Sequence, residues 1–218
     1  MVRYGMVIDL ERCVGCNACA VACKQENFTP SGVWWNKIVI KEEGTYPGTR
    51  IVSTPLACMH CDNAPCVSVC PTGASQKRAD GIVVVDYDKC IGCKYCIQAC
   101  PYGARQFMDK IRPYYPEQGL TPYEQFGYAK HQVGVVEKCT FCSQKIDAAA
   151  GKGLTPGVDT LATPACLITC IAYARTFGDL DDPNSEVSKV IAEKKARPMK
   201  PELGTKPKVY YVGLSEAW

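Results

Sequence analysis

A chain of 218 residues with 47% hydrophobic and 22% charged residues can bury one large core or two small ones, which excludes a disordered chain. Its sixteen cysteines exceed what a domain of this size needs as staples, and a disulfide framework would require an oxidising compartment. The formal charge of +3 counts every cysteine as neutral, so the balance turns negative once the thiols act as thiolates, and nucleic-acid binding gains no support.

Residues 1–9 contain no apolar signal region and no twin arginine, so nothing in the sequence directs export. A predicted strand over residues 5–9 leads into Cys13, Cys16, Cys19 and Cys23, with a helical turn expected over residues 20–22. A second strand, over residues 37–41, precedes Cys58, Cys61, Cys66 and Cys70, and Pro71 follows directly. A third, over residues 81–86, leads into Cys90, Cys93, Cys96 and Cys100, where a turn over residues 97–99 is stopped by Pro101. Residues 109–131 are rich in Pro, Tyr and Gly and read as a loop, either surface decoration or a partner contact.

A strand over residues 132–137 approaches Cys139 and Cys142, and a Gly/Pro/Thr loop over residues 151–164 separates them from Cys166 and Cys170. The tail carries a short helix capped by Asn184 and running to Lys195, then an apolar run over residues 209–212 able to pack on a partner. No apolar stretch approaches the ~18 residues of a membrane span.

The sixteen cysteines fall in four groups of four with none left over, the number four cubane 4Fe-4S clusters require. Cys90-x2-Cys93-x2-Cys96-x3-Cys100-Pro101 has the bacterial ferredoxin spacing. The first group and its approach repeat in the third at a constant offset of 77 residues, Cys13 to Cys90 and Cys23 to Cys100. The second and fourth groups also match, differing only in the gap after the second cysteine, 4 residues against 23.

The chain therefore reads as a duplicated two-motif unit: an α+β, loop-rich fold of two ferredoxin-like modules with a C-terminal extension. In two-cluster ferredoxins the fourth cysteine of one motif ligates the other motif's cluster. Pro71 and Pro101 mark the second and third groups as one pair, nested inside the first and fourth. The expected ligand sets are Cys13, Cys16, Cys19 with Cys170; Cys23 with Cys139, Cys142, Cys166; Cys58, Cys61, Cys66 with Cys100; and Cys70 with Cys90, Cys93, Cys96. Residues 1–50 and 109–182 would form the outer module, 51–108 the inner one and 183–218 the extension, a candidate partner contact. Sequential pairing, first with second and third with fourth, stays open.

Gly15 and Gly92 free their loops to curl round a cluster. His60 reads as a group beside a cluster or facing a partner, His131 as a solvated loop residue, and Trp34 and Trp35 as core or interface. Arg12, Lys89 and Lys138, each directly before a first cysteine, are either solvated or a positive charge beside an anionic cluster. No nucleotide-binding loop is present. The rival reading is a zinc-binding structural protein, but zinc sites have no use for a third cysteine at x2 and a fourth at x3 before proline.

Cys-Val-Gly-Cys-x2-Cys-x3-Cys-Lys (13–24), Cys-Met-His-Cys-Asp-Asn-Ala-Pro-Cys (58–66), Cys-Ile-Gly-Cys-x2-Cys-x3-Cys-Pro-Tyr-Gly-Ala-Arg (90–105), Lys-Cys-Thr-Phe-Cys (138–142) and Arg-Thr-Phe-Gly-Asp-Leu-Asp-Asp-Pro (175–183) together resemble the four-cluster electron-transfer subunit of molybdopterin oxidoreductases. That family includes subunits of dimethyl sulfoxide, polysulfide, thiosulfate, tetrathionate and arsenate reductases. Residues 200–211 are also similar to the tail of the arsenate reductase and pyrogallol transhydroxylase small subunits. One departure is Ile171 after Cys170, where many relatives carry proline.

The resemblance implies four 4Fe-4S clusters, no catalysis by this chain alone, and a large molybdenum or tungsten pterin subunit as partner. An integral membrane quinone-binding subunit or a soluble carrier would complete the path. The complex would be cytoplasmic, or exported folded with a signal-bearing catalytic subunit and membrane-associated through its partners. The alternatives are a free polyferredoxin-like carrier or the equivalent subunit of a hydrogenase or nitrite reductase system.

Overall fold

The computed structural model describes residues 2–215; residue 1 and residues 216–218, the last of the expected C-terminal extension, lie outside the described residues. In chain order the elements are β1 (Tyr4–Asp9), α1 (Ala18–Asn27), β2 (Lys37–Glu43), β3 (Arg50–Leu56), α2 (Pro65–Ser68), β4 (Ser75–Lys77), β5 (Val83–Val85), α3 (Tyr95–Gln98) and β6 (Gln106–Phe107). They continue with α4 (Pro122–Tyr128), β7 (Val136–Glu137), α5 (Ser143–Ala149), α6 (Ala165–Ile168), β8 (Arg175–Asp179), α7 (Glu186–Glu193), β9 (Arg197–Pro198) and β10 (Val209–Val212). Helices and strands are mixed and short, as an α+β, ferredoxin-like chain requires.

Four strands form the largest sheet, in the order β8-β1-β10-β9. β1 runs antiparallel to β8, from Tyr4 opposite Asp179 to Ile8 opposite Arg175, and parallel to β10. The strand before the first cysteine group thus pairs with the strand after the last, and the Asp9 N–H to Ala174 carbonyl bond of 2.8 Å closes that end. Three two-stranded hairpins, β2-β3, β4-β5 and β6-β7, make up the rest. β4 follows Cys70 and β5 precedes Cys90, so this hairpin joins the two inner groups.

The strand expected to meet a partner is internal instead. Both edges of β10 are paired, to β1 and to β9, and the Tyr211 hydroxyl donates to the Pro55 carbonyl at 2.9 Å. The extension therefore closes the outer sheet. Around it Met6, Ile8, Met59, Ile82, Phe141, Phe177 and Met199 form the main core, which also takes in Cys19, Cys61 and Cys166. On the other face α7 sets Val187, Val190 and Ile191 against Val7 and Val212.

Several boundaries move for identifiable reasons. Asn184 is held in a turn by its N–H bond to Asp182, so Ser185 caps α7, its hydroxyl accepting from the Ser188 N–H, and the helix ends at Glu193. Of the strand expected over residues 132–137, Val136–Glu137 is regular, and Gly134 and Val135 together oppose Met108 as a bulge, the Gly134 N–H donating to the Met108 carbonyl at 2.7 Å and the Met108 N–H to the Val135 carbonyl at 2.9 Å. The strand at residue 37 extends to Glu43 as half of an exposed hairpin. Within residues 109–131, α4 forms under a capping box between Thr121 and Glu124.

Candidate iron-sulfur sites

All sixteen cysteines are free thiols, so none is used as a staple. The first group lies on a loop that enters α1, and Gly15 there has φ of 68°, a left-handed turn where an added Cβ would meet the Ser53 hydroxyl at 2.5 Å. The β1-β8 pairing brings Cys170 to this loop, and Cys13, Cys16, Cys19 and Cys170 line one cavity. Gly92, the equivalent residue 77 positions on, has φ of 67° and packs so closely that an added Cβ would lie 2.2 Å from the Gly134 carbonyl oxygen. Its loop, with Cys70 from beyond α2, puts Cys70, Cys90, Cys93 and Cys96 around a second cavity.

A third cavity is lined by Cys23, from the far side of α1, with Cys139, Cys142 and Cys166. The remaining four, Cys58, Cys61, Cys66 and Cys100, also stand together: the charges that act on the Cys61 thiol are those of Cys58, Cys66 and Cys100. Each grouping takes three cysteines from one motif and one from another. Among the described residues no cluster of His, Cys, Asp or Glu converges tightly enough to hold a single metal ion, so the sulfurs surround cavities and do not close on a point.

The donor set suits anionic clusters. Backbone N–H groups of His60, Ser75, Phe141 and Ala174 point at the sulfurs of Cys58, Cys70, Cys139 and Cys170 at 3.3 to 3.5 Å. Such bonds to sulfur stabilise negative charge there. Burial pushes the Cys61 and Cys142 thiols up to about 12, and raises Cys23 and Cys139 as well. Without a compensating positive group these thiols stay protonated, and a bound cation is what would hold them as thiolates. The residues present fit four 4Fe-4S clusters.

Two cations supply further compensation, and the sequence reading passed over both. Arg105 donates through Nη2 to Cys66 at 3.0 Å, and Arg175 donates to Cys166 at 3.5 Å and Cys19 at 3.3 Å. Burial alone would lower the pKa of Arg175, but the thiolates of Cys166 and Cys19 outweigh it and hold the guanidinium charged. The signal was available, since each arginine follows the fourth cysteine of its group by five residues.

The basic residues that were expected near clusters divide. Arg12 and Lys89 are exposed, and Lys89 pairs with Asp86 at 2.9 Å. Lys138 is buried and donates to the carbonyls of Val83 and Cys139. Trp34 is exposed, with the Lys24 ammonium 4.4 Å from its ring centroid, and Trp35 is buried.

Of the two places open to His60 the structure takes the one beside a cysteine set, and His131 departs from expectation. His60 is fully buried and cannot face a partner; its Nδ1 accepts from the Val83 N–H at 3.1 Å, which leaves the proton on Nε2, and its ring stacks on Phe141. Burial, followed by the charges of Lys138, Lys208 and Arg105, holds its pKa well below the usual histidine value. His131 is not solvated: its Nε2 donates to the Asn27 carbonyl at 2.9 Å, its Nδ1 meets Glu137 at 2.8 Å, and Trp35 and Tyr128 pack round it.

Three segments match a family described as 4Fe-4S dicluster domain, residues 12–74, 49–113 and 82–148. They overlap because consecutive cysteine groups each approximate the two-motif pattern. Among similar curated proteins, the arsenate respiratory reductase iron-sulfur subunit of Shewanella sp. strain ANA-3 is 40% identical, over 97% of this chain and 96% of its own. A sulfite dehydrogenase subunit of Allochromatium vinosum is 41% identical over 97% and 83%, and a tetrathionate reductase subunit of Salmonella typhimurium 39% identical over 99% and 74%. With the ligand geometry and this similarity along nearly the whole length, the chain belongs to the 4Fe-4S iron-sulfur subunits of molybdopterin oxidoreductases, electron-transfer subunits that are not catalytic alone.

Proposed function

We propose that the chain conducts electrons singly along a line of four cysteine sets, between a molybdenum or tungsten pterin subunit at one end and a membrane quinone subunit or soluble carrier at the other. When bound, a 4Fe-4S cluster supplies each set with a one-electron redox centre. The carrying observation is the graded exposure of the sets. Cys16 and Cys93 are the exposed cysteines, one in each end set beside a buried Cys19 or Cys96, whereas the two middle sets contain buried and half-buried cysteines and no exposed one.

That gradient supports the order Cys13/16/19/170, then Cys23/139/142/166, then Cys58/61/66/100, then Cys70/90/93/96. Arg175 touches the first and second sets, the charges of Cys139 and Cys58 act on each other across the middle, and Arg105 touches Cys66 at the third. A 218-residue domain has a radius of gyration of ~17 Å, so successive sets are neighbours. The same contacts support nested pairing, with an outer module of residues 1–50 and 109–182 around an inner one of 51–108.

Relatives named for arsenate, sulfite and tetrathionate stand at 39% to 41% identity and others at up to 46%, and names this varied choose neither a substrate nor a direction of flow. No helix among the described residues is long and apolar enough to cross a membrane, so membrane attachment runs through a partner. The complex stays in the cytoplasm or leaves it folded on a signal-bearing catalytic subunit.

Purification from its native host tests the proposal. A copurifying pterin subunit, with iron for four clusters on this chain, is the expected result; a stable monomer that retains no such subunit at any salt would overturn it in favour of a free carrier.

A further inference from the structure

The third and fourth cysteine groups share one residue that bears no thiol, at the same distance from the last ligand. Arg105 stands five residues after Cys100, and Arg175 five after Cys170. Both are buried, at 4% and 6% exposure, although arginine is among the residues least often buried unless paired. Among the described residues neither guanidinium pairs with a carboxylate.

Each arginine reaches the two cysteine sets of one module. Arg175 gives Nη1 to Cys166 at 3.5 Å and Nη2 to Cys19 at 3.3 Å, and these cysteines belong to different sets. The Asn36 side-chain oxygen, 3.3 Å from Nη2, and the Met6 sulfur, 3.5 Å from Nη1, steady the fork. Arg105 stands in a similar place: Nη2 donates to Cys66 at 3.0 Å, Nη1 is held by the Ser75 hydroxyl at 2.8 Å, and its positive charge also acts on the Cys96 thiol. Cys66 and Cys96 again belong to different sets. Cys166 is the counterpart of Cys66, and Cys19 of Cys96.

Packing alone does not account for this. An unpaired cation taken out of water costs several kcal/mol after relaxation, and an apolar side chain of similar volume would fill the space without that cost. The charge is favourable only beside negative sulfur, and more so as the sulfur's surroundings gain an electron. A hydrogen-bonding cation therefore favours the reduced state and raises potential. Because each fork spans two sets, it acts on both.

We propose that Arg105 and Arg175 are positioning residues of the electron path, each a cation shared by two clusters, holding both at raised and matched potentials so that the step between them stays nearly level. The inference rests on the nested four-cluster reading given above. It assigns Arg175 to the sets of Cys13 and Cys139, and Arg105 to those of Cys58 and Cys90.

The test is a potentiometric EPR titration of the purified complex, with signals assigned by single cysteine substitutions and iron counted first. Iron for fewer than four clusters in the unsubstituted complex sinks the four-cluster reading itself, before any arginine is changed. With four present, Arg175→Gln should shift the one-electron reduction of its two clusters at least tenfold toward the oxidised form, about 59 mV each, and leave the other two in place. Arg105→Gln should do the converse. Four unchanged potentials, a shift of one cluster alone, or shifts in the opposite module overturn the proposal. Where a glutamine variant fails to hold its iron, lysine carries the test: it keeps the charge but loses the planar guanidinium fork that reaches two separated sulfurs at once, so at least one potential of the pair must fall, and an unchanged pair refutes the shared-cation role.

Discussion

His60 and Phe141 stack with ring centroids 3.8 Å apart, and they occupy the same place in two copies of one loop. Each is the residue before the second cysteine of a Cys-x2-Cys turn, each has positive φ (44° and 55°), and each directs its backbone N–H to the first cysteine sulfur at 3.5 Å. The two rings thus meet where the second and fourth cysteine groups face one another, joining those groups through packed aromatics.

Replacing Phe141 should expose that junction. Phe141→Ala removes a buried ring and should cost about 3–5 kcal/mol, far more than the ~0.5–1.5 kcal/mol of an aromatic contact itself. Phe141→Leu should recover most of the loss by refilling volume. Chemical denaturation of the three proteins checks the order; equal stability for alanine and phenylalanine would mean that the contact holds nothing together.

Cys23→Ser tests the wiring. On nested pairing it should perturb the cluster of Cys139, Cys142 and Cys166 and leave that of Cys58, Cys61 and Cys66 intact. Site-assigned EPR or Mössbauer spectra distinguish the two, and the reverse outcome would establish sequential pairing.

Tyr211→Phe should lower stability by about 0.5–1.5 kcal/mol, because only the hydrogen bond to Pro55 is lost while the ring stays buried. Deleting residues from 209 onward should be far worse, leaving β1 with an unpaired edge and the core open. Soluble yield and iron content of the truncated chain report this.

Glu124 ties residues 109–131 together. It accepts from the N–H groups of Tyr114 and Thr121, at 2.8 and 2.7 Å, and from the Tyr128 hydroxyl at 3.3 Å. The Tyr114 N–H first, then those of Thr121, hold its carboxyl below the ordinary carboxylate value. A depressed folded pKa means that this stabilisation is present above the unfolded value, about 4.3, and is lost as pH falls through the folded one. Glu124→Gln should reproduce that loss at neutral pH, seen as faster amide exchange over residues 113–128, with unchanged exchange counting against the carboxylate's role.

How much was legible depends on where the information lay. Thiol chemistry at fixed spacing made the four cysteine groups legible in the sequence, and Pro71 and Pro101 suggested their pairing; three cavities bring together cysteines from different groups, Cys70 with Cys90 among them. Arg105 and Arg175 were missed because compensating charge was sought directly before each first cysteine, where Arg12 and Lys89 proved exposed. His131 was misjudged from its Pro/Tyr-rich surroundings; the tyrosines pack inward with Trp35 and Glu137, which local composition cannot reveal. β10 looked free because its partner β1 lies at the other end of the chain, a tertiary fact outside any local window.

The position of β1 between β8 and β10 also sets a timetable. At about 5–20 residues per second, the first strand to leave the ribosome waits on the order of ten seconds or more for both of its neighbours. By residue 100 all eight cysteines of the second and third groups have been synthesised, while the sheet that steadies the Cys13 loop still lacks β8 and β10. On the nested pairing proposed above, iron delivered during synthesis would find its first complete seats at the centre of the chain, and the molecule would mature from the inside outward, with the strands near its two ends pairing last.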